Sequence, residues 1–235
     1  MNKQTTINIL LVDDHAIVRE GYRSLISKQA DLKVIAEAGN GVDAYRLYKE
    51  CQPDVVVTDL TMPSLSGLEL IGRIKQRDNK ARILVFSMHQ NPSFARQACR
   101  AGALGYVSKS SAPDILLQAI REVYLGKHML STDIAQALAL EKLGNESSAL
   151  NSLTAREFEI LRLLVEANTQ DAIAKTLNIS PKTVGNCHYL IKNKLGVNSD
   201  IELTRLAIKL NVLSLLDLAD PAQATLAPAA NRLIN

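Results

Sequence analysis

The chain has 235 residues, of which 47% are hydrophobic and 22% charged, with a formal net charge of +3. That balance supports packed cores and excludes both a disordered polyelectrolyte and a uniformly basic nucleic-acid coat. No apolar run approaches the ~18 residues of a membrane span, no signal-peptide pattern opens the chain, and Cys51, Cys99 and Cys187 lack disulfide or metal-ligand spacing; the expectation is a cytoplasmic protein with free thiols and no membrane association.

Short apolar runs alternate with helical patterns from the start. Residues 7–12 (INILLV), 33–38 (KVIAEA), 54–59 (DVVVTD), 82–87 (RILVFS) and 105–108 (GYVS) predict strands. The intervening three- and four-residue spacings predict helices whose inward faces carry Ile17, Leu25 and Ile26, then Ala44 and Tyr48, then Leu68, Ile71 and Ile74, then Phe94 and Ala98, then Leu116, Ile120 and Val123. Runs such as VVV and ILVF are apolar on both faces, as in strands covered by helices on each side. The alternation specifies an α/β doubly wound, five-stranded parallel sheet over residues 1–126.

Residues 127–152 differ: a short helix at most, then the polar stretch GNESSALNS, which reads as a linker. From Leu153 the strand signals end. TAREFEILRLLVEA, TQDAIAKTL, SPKTVGNCHYLIKNKL and SDIELTRLAIKL predict four helices, each opened by Thr or Ser at the N-cap, in an all-α domain over 153–212. Glu157, three residues after Thr154, fits a capping box; Pro181 fits the first helical position and Gly196 the C-terminal stop. Ala172, Ile173, Leu177, Ile179, Val184, Leu190 and Ile191 would supply the inward face of the second and third helices. The Ala- and Pro-rich segment 213–235 reads as a mobile tail.

In a doubly wound sheet, ligands bind outside the carboxyl ends of the strands. There the sequence puts Asp13 and Asp14 after the first strand, Asp59 after the third, Ser87 after the fourth and Lys109 after the fifth. Clustered carboxylates repel unless a cation joins them, and oxygen ligands select a hard ion such as Mg2+. A lysine opposite them suits a phosphoryl oxygen, so the set is arranged for phosphoryl transfer to a carboxylate. Taken singly, Asp13 or Asp14 reads equally as a helix cap, Asp59 as a turn residue, Ser87 as a core hydroxyl and Lys109 as a surface charge. At the ends of four strands, in this order, the joint reading outweighs the separate ones.

The acidic pair, the loop DLTMPSLSGLEL at 59–70, FSMH at 86–89 and GALGYVSKS at 102–110 make residues 7–125 resemble a response-regulator receiver domain, with the flavodoxin-like strand order. The resemblance implies that Asp59 accepts phosphate from a sensor histidine kinase. It implies that Asp14 and Asp59, with Asp13 through water and the backbone carbonyl of Thr61, hold Mg2+, and that Lys109 contacts the phosphoryl group. Ser87 would swing toward that group, Tyr106 would turn inward behind it, and the face between the fourth helix and fifth strand would report the change. Gly67 is expected at positive φ, and the family's cis peptide after the lysine would here be Lys109–Ser110. Haloacid-dehalogenase-like phosphatases also form an aspartyl-phosphate, but need a second acid two positions on, where this chain has Thr61; no enzymatic activity is expected beyond Mg2+-dependent self-phosphorylation and dephosphorylation at Asp59.

In the helical module, Lys182, Lys192 and Lys194 with His188 fall in a stretch without acids, which reads either as a phosphate-binding surface or as a solvated helix face. LTAREFEILRLL at 153–164 and ISPKTVGNCHYLIKNKLGV at 179–197 resemble the four-helix DNA-binding domain of LuxR-type regulators, and the whole chain is similar to a NarL/FixJ-type response regulator. By that resemblance the helix from Pro181 to Leu195 enters the major groove of double-stranded promoter DNA. Gly185, Asn186 and Tyr189 would face bases, Lys182, Thr183 and Lys192 would hold the backbone, and the last helix would join a homodimer. Gly185 stands where the family commonly has a basic residue, and Cys187 where it has His, which keeps open a second expectation: a protein-interaction switch with weak or no DNA binding.

Overall fold

The computed structural model describes residues 6–143, 149–210 and 212–213. Five βα units come first: β1 (Ile7–Val12), α1 (Ala16–Ser27), β2 (Leu32–Ala38), α2 (Gly41–Cys51), β3 (Val55–Thr58), α3 (Gly67–Arg77), β4 (Ile83–Ser87), α4 (Pro92–Ala101), β5 (Gly105–Ser108) and α5 (Pro113–Tyr124). All strands pair in parallel, and the first five take the order β2-β1-β3-β4-β5. The order reverses at β1, so β1 and β3 lie side by side at the centre and their carboxyl ends open onto one crevice, the place where such sheets bind ligands. Val55, Val56, Val57, Ile83, Leu84 and Val85 are fully buried, their side chains divided between helices on the two faces.

Residues 127–152 do more than connect. After Tyr124 the chain adds a two-residue strand, β6 (Met129–Leu130), beside β5, and then α6 (Thr132–Leu143) packed on α4 and β5. Gly105 allows the close approach, because a Cβ there would meet the Met129 carbonyl at 2.9 Å. Ile134 of α6 is buried, so the face between α4 and β5 that was expected to report phosphorylation is covered by the chain's own linker. Residues 144–148 and those beyond Leu213, where a polar connector and a mobile tail were expected, lie outside the described residues.

A single 3-10 turn (Ala149–Ser152) leads into four helices: α7 (Ala155–Val165), α8 (Gln170–Thr176), α9 (Pro181–Leu195) and α10 (Asp200–Lys209). Their N-caps are Thr154, Thr169, Ser180 and Ser199, and each side chain accepts from a backbone amide of the first turn. Such caps stabilise a helix by roughly 1 kcal/mol each. Thr154 and Glu157 complete the expected capping box, Pro181 begins α9, and Gly196 ends it at φ 68°. Ile173, Leu177, Val184 and Ile191 form the core, with Ile179 packed against it. Ala172 and Leu190, expected inside, are exposed, as is Ile17 on α1: in each case one apolar position at the edge of the stripe turns to water.

The helical module rests on the α3–α4 side of the sheet domain. Phe158 of α7 meets Phe94 of α4 edge-on at 5.1 Å between ring centres, an arrangement contributing about 1 kcal/mol beyond the area it buries. Around this contact, Arg156 pairs with Glu69 (3.1 Å), the Ser64 amide donates to the Thr176 carbonyl (3.1 Å), Gln97 donates to the Leu150 carbonyl (2.9 Å) and Ser93 to that of Leu210 (3.3 Å).

Candidate functional site

The acidic pocket forms where β1 and β3 end. Lys109, carried by the turn after β5, donates to Asp13 at 2.6 Å and Asp59 at 2.5 Å, and all three side chains are nearly fully buried. Burial opposes the ammonium charge, but Asp59 and Asp13 on either side more than offset it and hold its pKa above the usual lysine value. Asp59 Oδ1 also accepts from the Leu60 amide at 2.6 Å, leaving Oδ2 toward the lysine. Asp14 stands more open; burial first, then Asp59 and Asp13, raise its pKa, with His15 pulling the other way. Neither aspartate is the N-cap of α1: that position is His15, whose amide donates to Asp13 Oδ1. The capping alternative for Asp13 and Asp14 therefore falls away.

Asp13, Asp14 and His15 present ligand atoms within 4.8 Å of one another. Asp59 is not in that group, since its carboxylate is turned to Lys109. A buried carboxylate set held together by one lysine, with a neighbouring acid strained toward its neutral form, has the donor chemistry of a hard-cation site. His15 was not singled out in the sequence; its place directly after the acidic pair was the available signal.

Two backbone details around the pocket differ from expectation. Gly67 does not have positive φ; it is required because a Cβ would lie 2.1 Å from the Asp59 carbonyl, where α3 starts against the end of β3. The left-handed residue is Ser64 at φ 69°. No cis peptide bond occurs among the described residues, so Lys109–Ser110 is trans: serine offers no relief of the cis penalty, and the Ser110 amide donates to Ser108 Oγ instead.

Behind the pocket, Ser87 is buried at the end of β4. Tyr106 is completely buried; its hydroxyl donates to the His89 carbonyl at 2.6 Å, and burial raises its pKa above the usual tyrosine value. His89 itself, unremarked in the sequence beyond the FSMH stretch, is a junction. Its Nε2 lies 2.9 Å from Thr61 Oγ1, and its ring stacks on Phe94 at 4.2 Å and 1°. Burial pushes it down to about 4, so the ring is neutral near pH 7.

On the helical module, Lys182, Thr183, Asn186 and Tyr189 lie along the exposed side of α9, and Tyr189 is 65% exposed. Gly185 sits among them with only Gln170 Oε1 near a would-be Cβ, at 3.5 Å, so packing does not demand a glycine. The lysines are less free than their acid-free stretch suggested. Lys192 and His188 both reach Asp200 of α10, at 3.0 and 2.9 Å, and Lys194 pairs with Glu157 at 2.6 Å. Acids distant in sequence supply the partners.

The sheet domain and its pocket define a receiver, and the four capped helices a helix-turn-helix module. Comparison with known proteins agrees. The response regulator receiver domain family matches residues 9–121, and the LuxR family of bacterial regulatory proteins matches residues 151–207. The response regulator UvrY of Escherichia coli K12 is 38% identical over 205 residues, covering 86% of this chain and 94% of that one. The response regulator GacA of Pseudomonas aeruginosa is 34% identical, covering 86% and 96%. Among solved structures, RcsB of Salmonella enterica serovar Typhimurium, bound to promoter DNA in the presence of the phosphomimetic BeF3−, is 28% identical with a TM-score of 0.66, covering 89% of this chain and all of that one. The chain belongs to the two-component response regulators that carry a LuxR-type DNA-binding domain, the NarL/FixJ family. No helix among the described residues is long and apolar enough to cross a membrane.

Proposed function

We propose that this chain is a cytoplasmic transcription regulator in which a sensor histidine kinase phosphorylates Asp59, and phosphorylation controls how the C-terminal module engages promoter DNA as a homodimer. The observation that carries this reading is the convergence of Asp13 and Asp59 on Lys109 at the carboxyl end of the sheet. Asp59 attacks the phosphorus of the kinase's phosphohistidine; a P–O bond forms, the P–N bond breaks and the imidazole leaves. Lys109 gives up its carboxylate contacts to hold a phosphoryl oxygen, and the Ser87 hydroxyl is placed to take another. Asp13, Asp14, Asp59 and the Thr61 carbonyl would hold Mg2+, which when bound neutralises charge on the transferring group. The Ser64 amide of the 59–66 loop itself bonds the Thr176 carbonyl, and Glu69, in the first turn of α3 just after that loop, pairs with Arg156, so changes in the loop bear directly on domain docking. On DNA, Gly185, Asn186 and Tyr189 face bases, and Lys182, Thr183 and Lys192 face phosphates.

The test is acyl-phosphate labelling from a small phosphodonor with Mg2+: Asp59→Asn abolishes it, and undiminished labelling refutes the site. The pairing of Lys192 with Asp200 favours, as a second reading, a switch with weak DNA binding. Salt-dependent binding to a promoter fragment that is lost in Asn186→Ala/Lys192→Ala decides against that second reading.

A further inference from the structure

The contacts of His89 join two places that the proposed function leaves separate. One edge of the ring reaches Thr61 Oγ1 (2.9 Å), two residues from Asp59. One face lies flat on Phe94 (4.2 Å, 1°), and Phe94 in turn meets Phe158 of α7 (5.1 Å, 81°). The residue's own carbonyl accepts from the Tyr106 hydroxyl, and its amide lies 3.5 Å from Ser87 Oγ. One continuous path from the phosphoacceptor loop to the Phe94–Phe158 contact therefore runs through this residue, beside the direct bond from the Ser64 amide to the Thr176 carbonyl.

We infer that His89 is a positioning residue that couples occupancy of the Asp59 pocket to docking of the DNA-binding module, through its bond to Thr61 and its stack on Phe94. The inference rests on Asp59 being the phosphoacceptor. A group that draws in the Thr61 carbonyl and the Ser87 hydroxyl moves both neighbours of His89 at once. The ring, fixed flat against Phe94, cannot follow Thr61 without disturbing the edge contact with Phe158, because packed aromatic contacts shift between discrete arrangements rather than stretch. Pocket occupancy and docking therefore oppose one another. Coupling between sites is reciprocal, so loosening the interface strengthens binding at the pocket by the same factor.

The probe is beryllofluoride with Mg2+, whose binding to the full chain is an equilibrium measured by calorimetry. Glu69→Arg/Gln97→Arg undocks the module from the receiver side: it sets an arginine against Arg156 and forces a long cation into the space of the buried Gln97, and solution scattering verifies the separation. With His89 present, undocking lowers the apparent Kd by roughly fivefold or more, the lower range of measured allosteric couplings. His89→Phe retains the stack but removes the bond to Thr61, whose exposed hydroxyl turns to water; in that background the docked-to-undocked Kd ratio falls to about one. Thr61→Val likewise removes the ratio and Thr61→Ser, which keeps the hydroxyl, restores it, a rescue that a merely structural role for the position does not produce. A ratio unchanged by His89→Phe, or a ratio of one with His89 in place, overturns the coupling role. Failure of the probe to bind any of these chains, with Asp59 intact, instead refutes the phosphoacceptor assignment beneath it.

Discussion

Glu159 gives the sharpest test of the docked arrangement. It projects from α7 into the inter-domain contact, its side chain is 6% exposed, and Oε2 has no hydrogen-bond partner, with Arg156 Nη1 3.6 Å away. Burial pushes its pKa from 4.5 up to about 7, against smaller opposing pulls from Ser66, Arg162 and Arg156. The folded value is raised, so the contribution of the protonated carboxyl is complete below pH 4.5 and is lost as pH rises through about 7. At ~1.4 kcal/mol per pKa unit, ionised Glu159 costs the fold about 3 kcal/mol at pH 8. Glu159→Gln keeps the shape and cannot ionise. It strands neither arginine, because Arg162 pairs with Glu166 at 2.7 Å and Arg156 with Glu69 and the Leu177 carbonyl. By calorimetry the variant should unfold about 6 °C or more above wild type at pH 8, at roughly 2 °C or more per kcal/mol for a chain of this size. At pH 5, where the wild-type carboxyl is protonated when folded, the gap should shrink to less than about 1 kcal/mol. A gap that does not change with pH, or a variant less stable at both pH values, refutes the reasoning.

Three further outcomes follow from the geometry. Asp14→Asn, which removes a charge held against burial and two neighbouring acids, should raise the melting temperature without Mg2+ and reduce the gain on adding it; for wild type that gain is about 2.7 kcal/mol at a hundredfold excess over Kd. Gly185→Ala should stabilise the helical module by ~1 kcal/mol in denaturant unfolding, since its Cβ has room, and Gly185→Lys should in addition steepen the dependence of log K for DNA on log salt by about 0.9. Asp200→Asn, by releasing Lys192 and His188, should tighten non-specific DNA binding and steepen the same salt slope, measured by fluorescence anisotropy; no change would mean that neither side chain reaches phosphate.

The first five strands and the last four helices were legible because each carries a period or a cap of its own. β6 was not: Met129–Leu130 is too short for any period and exists only because β5 offers an edge with a glycine in it. α6 was foreseen as a short helix, but its docking against α4 and β5 depends on that strand. In the pocket, Asp13, Asp59 and Lys109 could be read because strand ends map onto one sheet edge. His89, Glu69, Arg156 and Glu159 could not, since their roles arise where one domain meets the other. The partners of Lys192 and Lys194 on α9 were hidden in the same way: Asp200 and Glu157, which engage them, belong to other helices.

In the docked arrangement the outward side of α9, with Tyr189 and Asn186, stays open to water while α7 and the end of α10 are engaged with the receiver. On the proposed function, a resting molecule would graze a duplex with a single module, held by a few ionic contacts and quickly lost. Signalling would then add a second grip. Two modules bound to neighbouring half-sites would hold each other in place, each raising the local concentration of the other, and dwell time would grow without any new contact to a base.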